Sequence, residues 1–316
     1  MKQYFKIGPM AVSQAAALSG GLLMGMPALY AYTGWLKKLS LVLSKALHTG
    51  VLPIAISPVF HTFSLHRGHA KFVRYRPGQI SDVAARGPNH PTVDEQRSSF
   101  EITLLVALHC EDTEIDTSTI SKSLRGMKLA GGGISSASVS EIDIRVSKLT
   151  HDNLYKGLPF NAVALADASY VLDDASKAGV NRFEAMLQAL AAPSAFGDVK
   201  EGSFQRPMWM LGDDKVGRFL PVCIGAIALE SLKTPSERSG IRQADTATEE
   251  SPTTHAFAES AFTLVRAQTI ASVRANAKIK SDNGQSYEPP IFWQEKSPLI
   301  GEPPFYGVRS IQGNAI

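Results

Sequence analysis

Apolar and polar positions alternate in a pattern that sets out the first half of the chain. Tyr4 to Val12 is an apolar run with Lys6 and Gly8 interspersed, which predicts a first strand. A polar, glycine-rich connection follows from Ser13 to Gly25, and Pro27 stands where helices start. From Ala28 to Leu47 the apolar residues Leu29, Tyr32, Trp35, Leu36, Leu39, Leu43 and Leu47 recur at helical spacing, with Lys37, Lys38 and Lys45 between them. Val51 to Phe63 is apolar and rich in β-branched residues, and predicts a second strand. Ser98 to His109 predicts a third, through Ile102, Leu104, Leu105, Val106 and Leu108. Asp116 or Thr117 can cap a helix running to about Leu129, stopped by Gly131-Gly132-Gly133. Val139 to Val146 sets Ile142, Ile144 and Val146 against Glu141, Asp143 and Arg145, the mark of a half-buried fourth strand.

The resulting order, β-α-β-β-α-β over residues 3–147, is that of the ferredoxin-like fold, an α+β architecture. Four-stranded sheets of this kind also carry RNA-recognition domains. The expected division is a core over residues 1–150 and an elaboration over 151–316. The core holds a long hairpin insertion at 64–98, between its second and third strands. In the elaboration, residues 166–192 read as helical with a break at Gly179, and 193–217 read as loop. Phe219 to Leu229 is strongly apolar. Residues 233–252 are polar and loop-like. Phe257 to Ala277 reads as an amphipathic helix, with Phe262, Val265, Ile270 and Val273 inward and Arg266, Arg274 and Lys278 outward. The last 30 residues hold Pro289, Pro290, Pro298, Pro303 and Pro304 and predict an irregular tail, packed down by Phe292, Trp293, Phe305 and Tyr306.

An apolar fraction of 44 % with 19 % charged residues belongs to a globular protein and excludes disordered, collagen-like and disulfide-stapled classes. Charge adds more. The net value of +3 hides a front of residues 1–100 with 11 Lys/Arg against 3 Asp/Glu, and a remainder with 21 against 26. A basic front of that kind hints at an anionic partner. Cys110 and Cys223 lie far apart inside apolar runs and read as core residues of a reducing, cytoplasmic protein. The uncharged stretch between Lys6 and Lys37 is broken by Ser13, Gln14, Ser19, Gly20, Gly21, Gly25 and Pro27, too often for a membrane span or a signal core.

The candidate chemistry gathers in two places. His61 to Pro91 holds Arg67, Lys71, Arg74, Arg76 and Arg86 against Asp82 alone, with Phe72 and Tyr75 interleaved. Cations attract a phosphate backbone and aromatic rings stack on bases. The same stretch holds His61, His66, His69 and His90. Their spacing matches no common zinc pattern, although a histidine pair could serve acid–base cleavage of RNA. The second place is Lys122-x-x-Arg125-x-x-Lys128, followed by Gly131, Gly132 and Gly133. Glycines let a backbone approach a phosphate closely and offer it N–H groups. The run is neither a Walker loop nor a dinucleotide fingerprint. The pairs Asp173-Asp174, Asp213-Asp214 and Glu249-Glu250 read as solvated, and neither G-x-S-x-G nor H-E-x-x-H occurs.

The run Gly126-Met127-Lys128-Leu129-Ala130-Gly131-Gly132 resembles the glycine-rich loop of the Cas-five-type (Csy-two) subunits of type I-F CRISPR surveillance complexes. Ala17-Leu18-Ser19, Gly25-Met26-Pro27, Thr33-Gly34, His61-Thr62-Phe63, Leu158-Pro159-Phe160, Leu220-Pro221-Val222 and the segment from His255 to Arg274 follow in the family's order, so the resemblance spans about residues 5–295. Gln14-Ala15-Ala16 departs from it, since the family carries asparagines there. The resemblance implies a ferredoxin-like, RRM-like core of the RAMP superfamily and a non-catalytic, cytoplasmic protein without cofactor or metal. It implies a subunit that caps the 5′ handle of the crRNA and touches the backbone subunit and a large subunit. In a compact variant lacking the large subunit, an enlarged relative takes over contact with target DNA near the PAM. The RNA-binding residues expected are Arg67, Lys71, Arg74, Arg76, Arg86, Lys122, Arg125, Lys128 and Gly131 to Gly133. Two alternatives stay open: a metal-independent endoribonuclease that processes pre-crRNA with His61, His66 or His69, and a protein-only scaffold.

Overall fold

A computed structural model of the chain describes residues 1–19, 23–66, 97–111, 113–141, 143–150, 153–191, 219–229, 258–277, 291–296 and 305–311. The first strand, β1 (Lys2–Ala16), runs past the expected Val12 by means of irregularities at Gly8-Pro9 and Ser13-Gln14. A short pair, β2 (Leu18–Ser19) and β3 (Leu23–Met24), leads into helix α1 (Leu29–Leu47). The predicted stripe is the buried one: Leu29, Tyr32, Trp35, Leu36, Leu39 and Leu43 recur every three or four residues and face the sheet. Burying each of the four leucines is worth about 1.5–3 kcal/mol. His48, with a φ of +52°, turns the chain out of the helix. Strands β4 (Val51–His66) and β5 (Arg97–Cys110) pair antiparallel along most of their length, and β5 pairs antiparallel with β1.

Two expectations in the next stretch are corrected. The helix after Asp116, α2 (Thr117–Ser123), ends six residues before Leu129, because Gly126 takes a φ of +74° that no α-helix contains. Lys128–Leu129 becomes strand β6, and Gly132–Ser136 becomes strand β7, paired to it as a tight hairpin. The strand expected from Val139 to Val146 begins only at its last residue, as β8 (Val146–Leu149), and Val139 itself is fully exposed. Both β7 and β8 lie along the outer edge of β1, β8 against Tyr4–Ile7 and β7 against Met10–Ser13.

The second half continues the sheet with β9 (Val163–Asp167), helices α3 (Tyr170–Lys177) and α4 (Arg182–Ala191), β10 (Phe219–Ala228), β11 (Ala258–Thr269), helix α5 (Ile270–Ala277), β12 (Phe292–Lys296) and β13 (Phe305–Ile311). Phe257–Ala277 is therefore mostly strand rather than helix. β11 is hydrogen-bonded on both edges, to β10 and β9, and buries Thr263, Leu264 and Val265 in succession, as a strand covered on both faces does. The tail expected to be irregular forms β12 and β13. Trp293 within it is 2 % exposed, while Tyr306 stays half in solvent. Among the described residues the sheet has 11 strands in the order β12-β13-β10-β11-β9-β4-β5-β1-β7-β6, with β8 beside β1. It curls back on itself, since β12 also pairs with β4 through Trp293 and Ile56.

The larger core lies between α1, α2 and one face of β1, β4 and β5, through Phe5, Ile7, Phe60, Ile102 and Leu104, and continues into Leu165, Val222, Val265 and Trp293. The opposite face is covered over part of its length by Ile270 and Val273 of α5 and by Leu154 and Leu158, against Ala55, Val59, Leu105 and Ala107. Cys110 and Cys223 are buried thiols, as expected of core residues. No helix among the described residues is long and apolar enough to cross a membrane.

Candidate nucleic-acid interface

The two residues that flank the basic segment lie side by side in the sheet. β4 ends at His66, β5 begins at Arg97, and these two residues face each other in register. Arg97 in turn pairs with Ala16 at the end of β1, and the Ala16 N–H donates to the carbonyl of Ala130 at 2.9 Å. Four adjacent positions thus bring the ends of the basic segment and the glycine turn to one end of the sheet. The turn has a definite chemistry. Leu129 pairs with Gly132, so Ala130 and Gly131 form a two-residue loop, with φ values of +50° and +79°. Two positive φ values mark a type I′ turn, the form that matches strand twist. Gly132 meets a separate demand, because a Cβ there would stand 2.6 Å from the Ser13 carbonyl oxygen and 2.8 Å from the Ala15 nitrogen.

Around this turn, Arg97 donates through Nη1 to the carbonyl of Gln14, 3.2 Å away, where Gln14 has a φ of +59° in the irregularity of β1. The Gln14 N–H donates to Ser99 Oγ at 3.5 Å. Lys122, Arg125 and Lys128 are all exposed, but they do not share one helical face. Lys122 lies on α2, Arg125 in the turn after it and Lys128 on β6. Arg125 pairs with Asp143 at 3.0 Å, and both side chains stay more than half in solvent, so the pair leaves the cation accessible and contributes little to stability. Gly131 and Gly133 are exposed and Gly132 is buried. Arg67, Lys71, Arg74, Arg76 and Arg86 lie outside the described residues, as do His69 and His90.

His61 sits on β4 with its Nε2 2.8 Å from Thr103 Oγ1. Burial holds its pKa below the usual imidazole value, and the nearby Glu101 carboxylate opposes that shift in part. Asp116, at the start of α2, is held below the usual carboxylate range chiefly by the Ser118 hydroxyl. Asp173 and Asp174 are engaged by Arg182 and Lys177 on exposed helix surface. Among the described residues no three His, Cys, Asp or Glu side chains come together in a way that could hold a metal ion.

Sequence reasoning passed over Arg97 and the hydroxyl residues beside the turn. Arg97 closes the basic segment one residue before the apolar strand. Thr62, Ser64 and Ser99 show only as polar positions alternating with Phe63 and Phe100. The family model described as CRISPR-associated protein (Cas_Csy2) matches residues 7–297. Comparison with curated proteins gives no match.

Proposed function

Because the chain belongs to the CRISPR-associated Cas_Csy2 family and is thereby a subunit of a type I-F CRISPR complex, we propose that it is the non-catalytic member that binds crRNA and caps its 5′ handle. The observation that carries this reading is the convergence at one sheet end of the glycine turn and both ends of the basic segment. A phosphate backbone lying there meets cations from one element and a side-chain-free backbone from another. We read residues 1–150 as a ferredoxin-like, RRM-like core of RAMP type. In support, β1, α1, β4, β5, α2 and β7 follow one another along the chain, and β4, β5, β1 and β7 neighbour one another in the sheet. The remaining surfaces serve the backbone subunit and a large subunit or, in a compact complex, target DNA near the PAM. The whole assembly works in the cytoplasm.

The test is incubation of the purified chain with repeat-derived handle RNA in the absence of metal. Retention of intact RNA supports the reading. Specific cleavage that disappears in His61→Ala, His66→Ala or His69→Ala would replace it with an endoribonuclease. RNA crosslinks confined to the other subunits of a reconstituted complex would replace it with a protein-only scaffold.

A further inference from the structure

The pairing that closes the curl, Trp293 with Ile56, holds at one point only. Were β12 and β4 to stay antiparallel beyond it, Glu295 would face Ile54. The two strands part instead. β13 takes the other edge of β12, and β5 takes the other edge of β4. Among the described residues no strand therefore lies on the facing edges of Gln294 and Glu295, or of Leu52 to Ala55. Pro53, a residue that sheets admit at their edges, sits in this open part of β4.

The space between the parted strands is a cavity of about 380 Å³, within the range of pockets that hold a ligand. Pro53 and Ile54 line it from β4, Trp293 and Glu295 from β12, and Leu36 from α1, so its walls are mainly apolar. At its mouth, register sets Lys2, His109 and Leu52 in one row across β1, β5 and β4, and all three reach the cavity. The row lies on the face opposite α1, since Leu108 and Cys110 on either side of His109 point into the core beneath that helix. Leu52 is 58 % exposed, an apolar side chain beside an open strand edge. Charge at the mouth is one-sided. Glu295 is met by Lys37 at 3.2 Å, whereas Lys2 makes no ion pair among the described residues. His66 and Arg97 stand at the far end of the same strand pair, on the order of 45 Å away along β4.

We propose that this wedge takes an extended segment of a neighbouring protein subunit, added as a strand between β4 and β12. An unpaired strand edge recognises another main chain, and a cavity beside it takes one of that chain's side chains. The main chain of the segment bonds to the open edges, and an apolar side chain enters the cavity against Leu36 and the Trp293 ring. A carboxylate next to that side chain meets Lys2 and the His109 imidazole at the mouth. A phosphate backbone does not suit the wedge, because its walls are apolar and the Glu295 carboxylate repels an anion inside it. The inference rests on membership of a multisubunit complex, which follows from the family, and not on the RNA reading.

The experiment uses the full chain in a complex reconstituted from crRNA and separately purified subunits. Leu52→Asp puts a like charge beside the incoming carboxylate, and Lys2→Glu reverses the cation. Leu41→Asp, at an equally exposed apolar position of α1, is the control. The expected result is a tenfold or greater loss of affinity for one neighbouring subunit in the first two chains and no change in the third. Melting temperature and handle-RNA affinity stay unchanged in all three. With p-benzoylphenylalanine in place of Leu52, illumination should crosslink the chain to that subunit, in a stretch that sets an apolar residue next to a carboxylate. Should Leu52→Asp fail to fold, Lys2→Glu and the crosslink decide. Undiminished assembly in both wedge variants overturns the inference, as does an equal loss in Leu41→Asp. Crosslinks confined to crRNA, or to a second copy of this chain, overturn it too. If the unaltered chain binds no RNA while the wedge variants still lose assembly, the RNA reading falls and this inference stands.

Discussion

Trp293 donates its indole N–H to the backbone carbonyl of Leu165, 3.1 Å away, in the interior of the curled sheet. The bond ties a strand near the end of the chain to one at its middle. Trp293→Phe removes the donor from a buried carbonyl and is expected to cost about 1–3 kcal/mol. Trp293→Ala adds a cavity and is expected to cost about 3–5 kcal/mol. Urea denaturation of the two variants measures this, and a phenylalanine variant as stable as the parent would show that the bond carries no weight.

The hairpin turn makes two predictions of opposite sign. Ala130 holds a φ of +50°, which costs an L-residue about 1–2 kcal/mol, so Ala130→Gly should recover much of that and raise the melting temperature. Gly132→Ala would drive a Cβ into backbone atoms of β1 and is expected to cost about 1–3 kcal/mol. Thermal unfolding of the pair checks the geometry, and a destabilised Ala130→Gly would contradict it.

His61 gives a pH dependence whose sign follows from burial. Its folded-state pKa lies below that of the unfolded chain, so the unfolded chain takes up a proton first as pH falls. Its contribution is intact above about pH 6.5, the ordinary imidazole value, and is lost progressively below that. In His61→Gln the decline of stability between pH 7.5 and pH 5.5 should be shallower than in the parent. Urea midpoints at the two pH values decide, and equal declines would mean that His61 does not titrate differently on folding.

Arg74→Glu combined with Arg76→Glu should weaken handle-RNA binding and flatten its dependence on salt. Each lost phosphate contact lowers the slope of log affinity against log salt by about 0.7 for a single strand. A filter-binding titration with an unchanged slope would remove these two arginines from the interface.

The parts of the fold that were legible in the sequence are those where one local signal governs. The α1 stripe and the continuous apolar runs of β4 and β5 stand where their patterns put them. The misreadings come from residues whose state is set by distant partners. Phe262, Val265, Ile270 and Val273 have a helix-like spacing, yet the edges of β9 and β10 on either side make the first two part of a strand. A run of three glycines reads as a helix stop in isolation. It takes the adjacent end of β1 to make it a hairpin, and Gly126 to end the helix earlier. The candidate site was legible as charge and glycine content. Its assembly was not, because His66, Arg97, Ala16 and Ala130 come together only through strand pairing and a backbone hydrogen bond, across more than 30 residues of chain at each step.

The pairing of Trp293 with Ile56 also has a bearing on solubility. It closes β4, β9, β11, β10, β13 and β12 into a ring in which each strand is hydrogen-bonded to two others. A chain cut before Ile291 would lose β12 and β13 and leave the edge of β10 and part of that of β4 unpaired. Exposed edges recruit other strands, so such a fragment should self-associate more readily than the full chain. Any attempt to trim this subunit to its first half therefore meets an aggregation hazard before it meets a question of RNA binding.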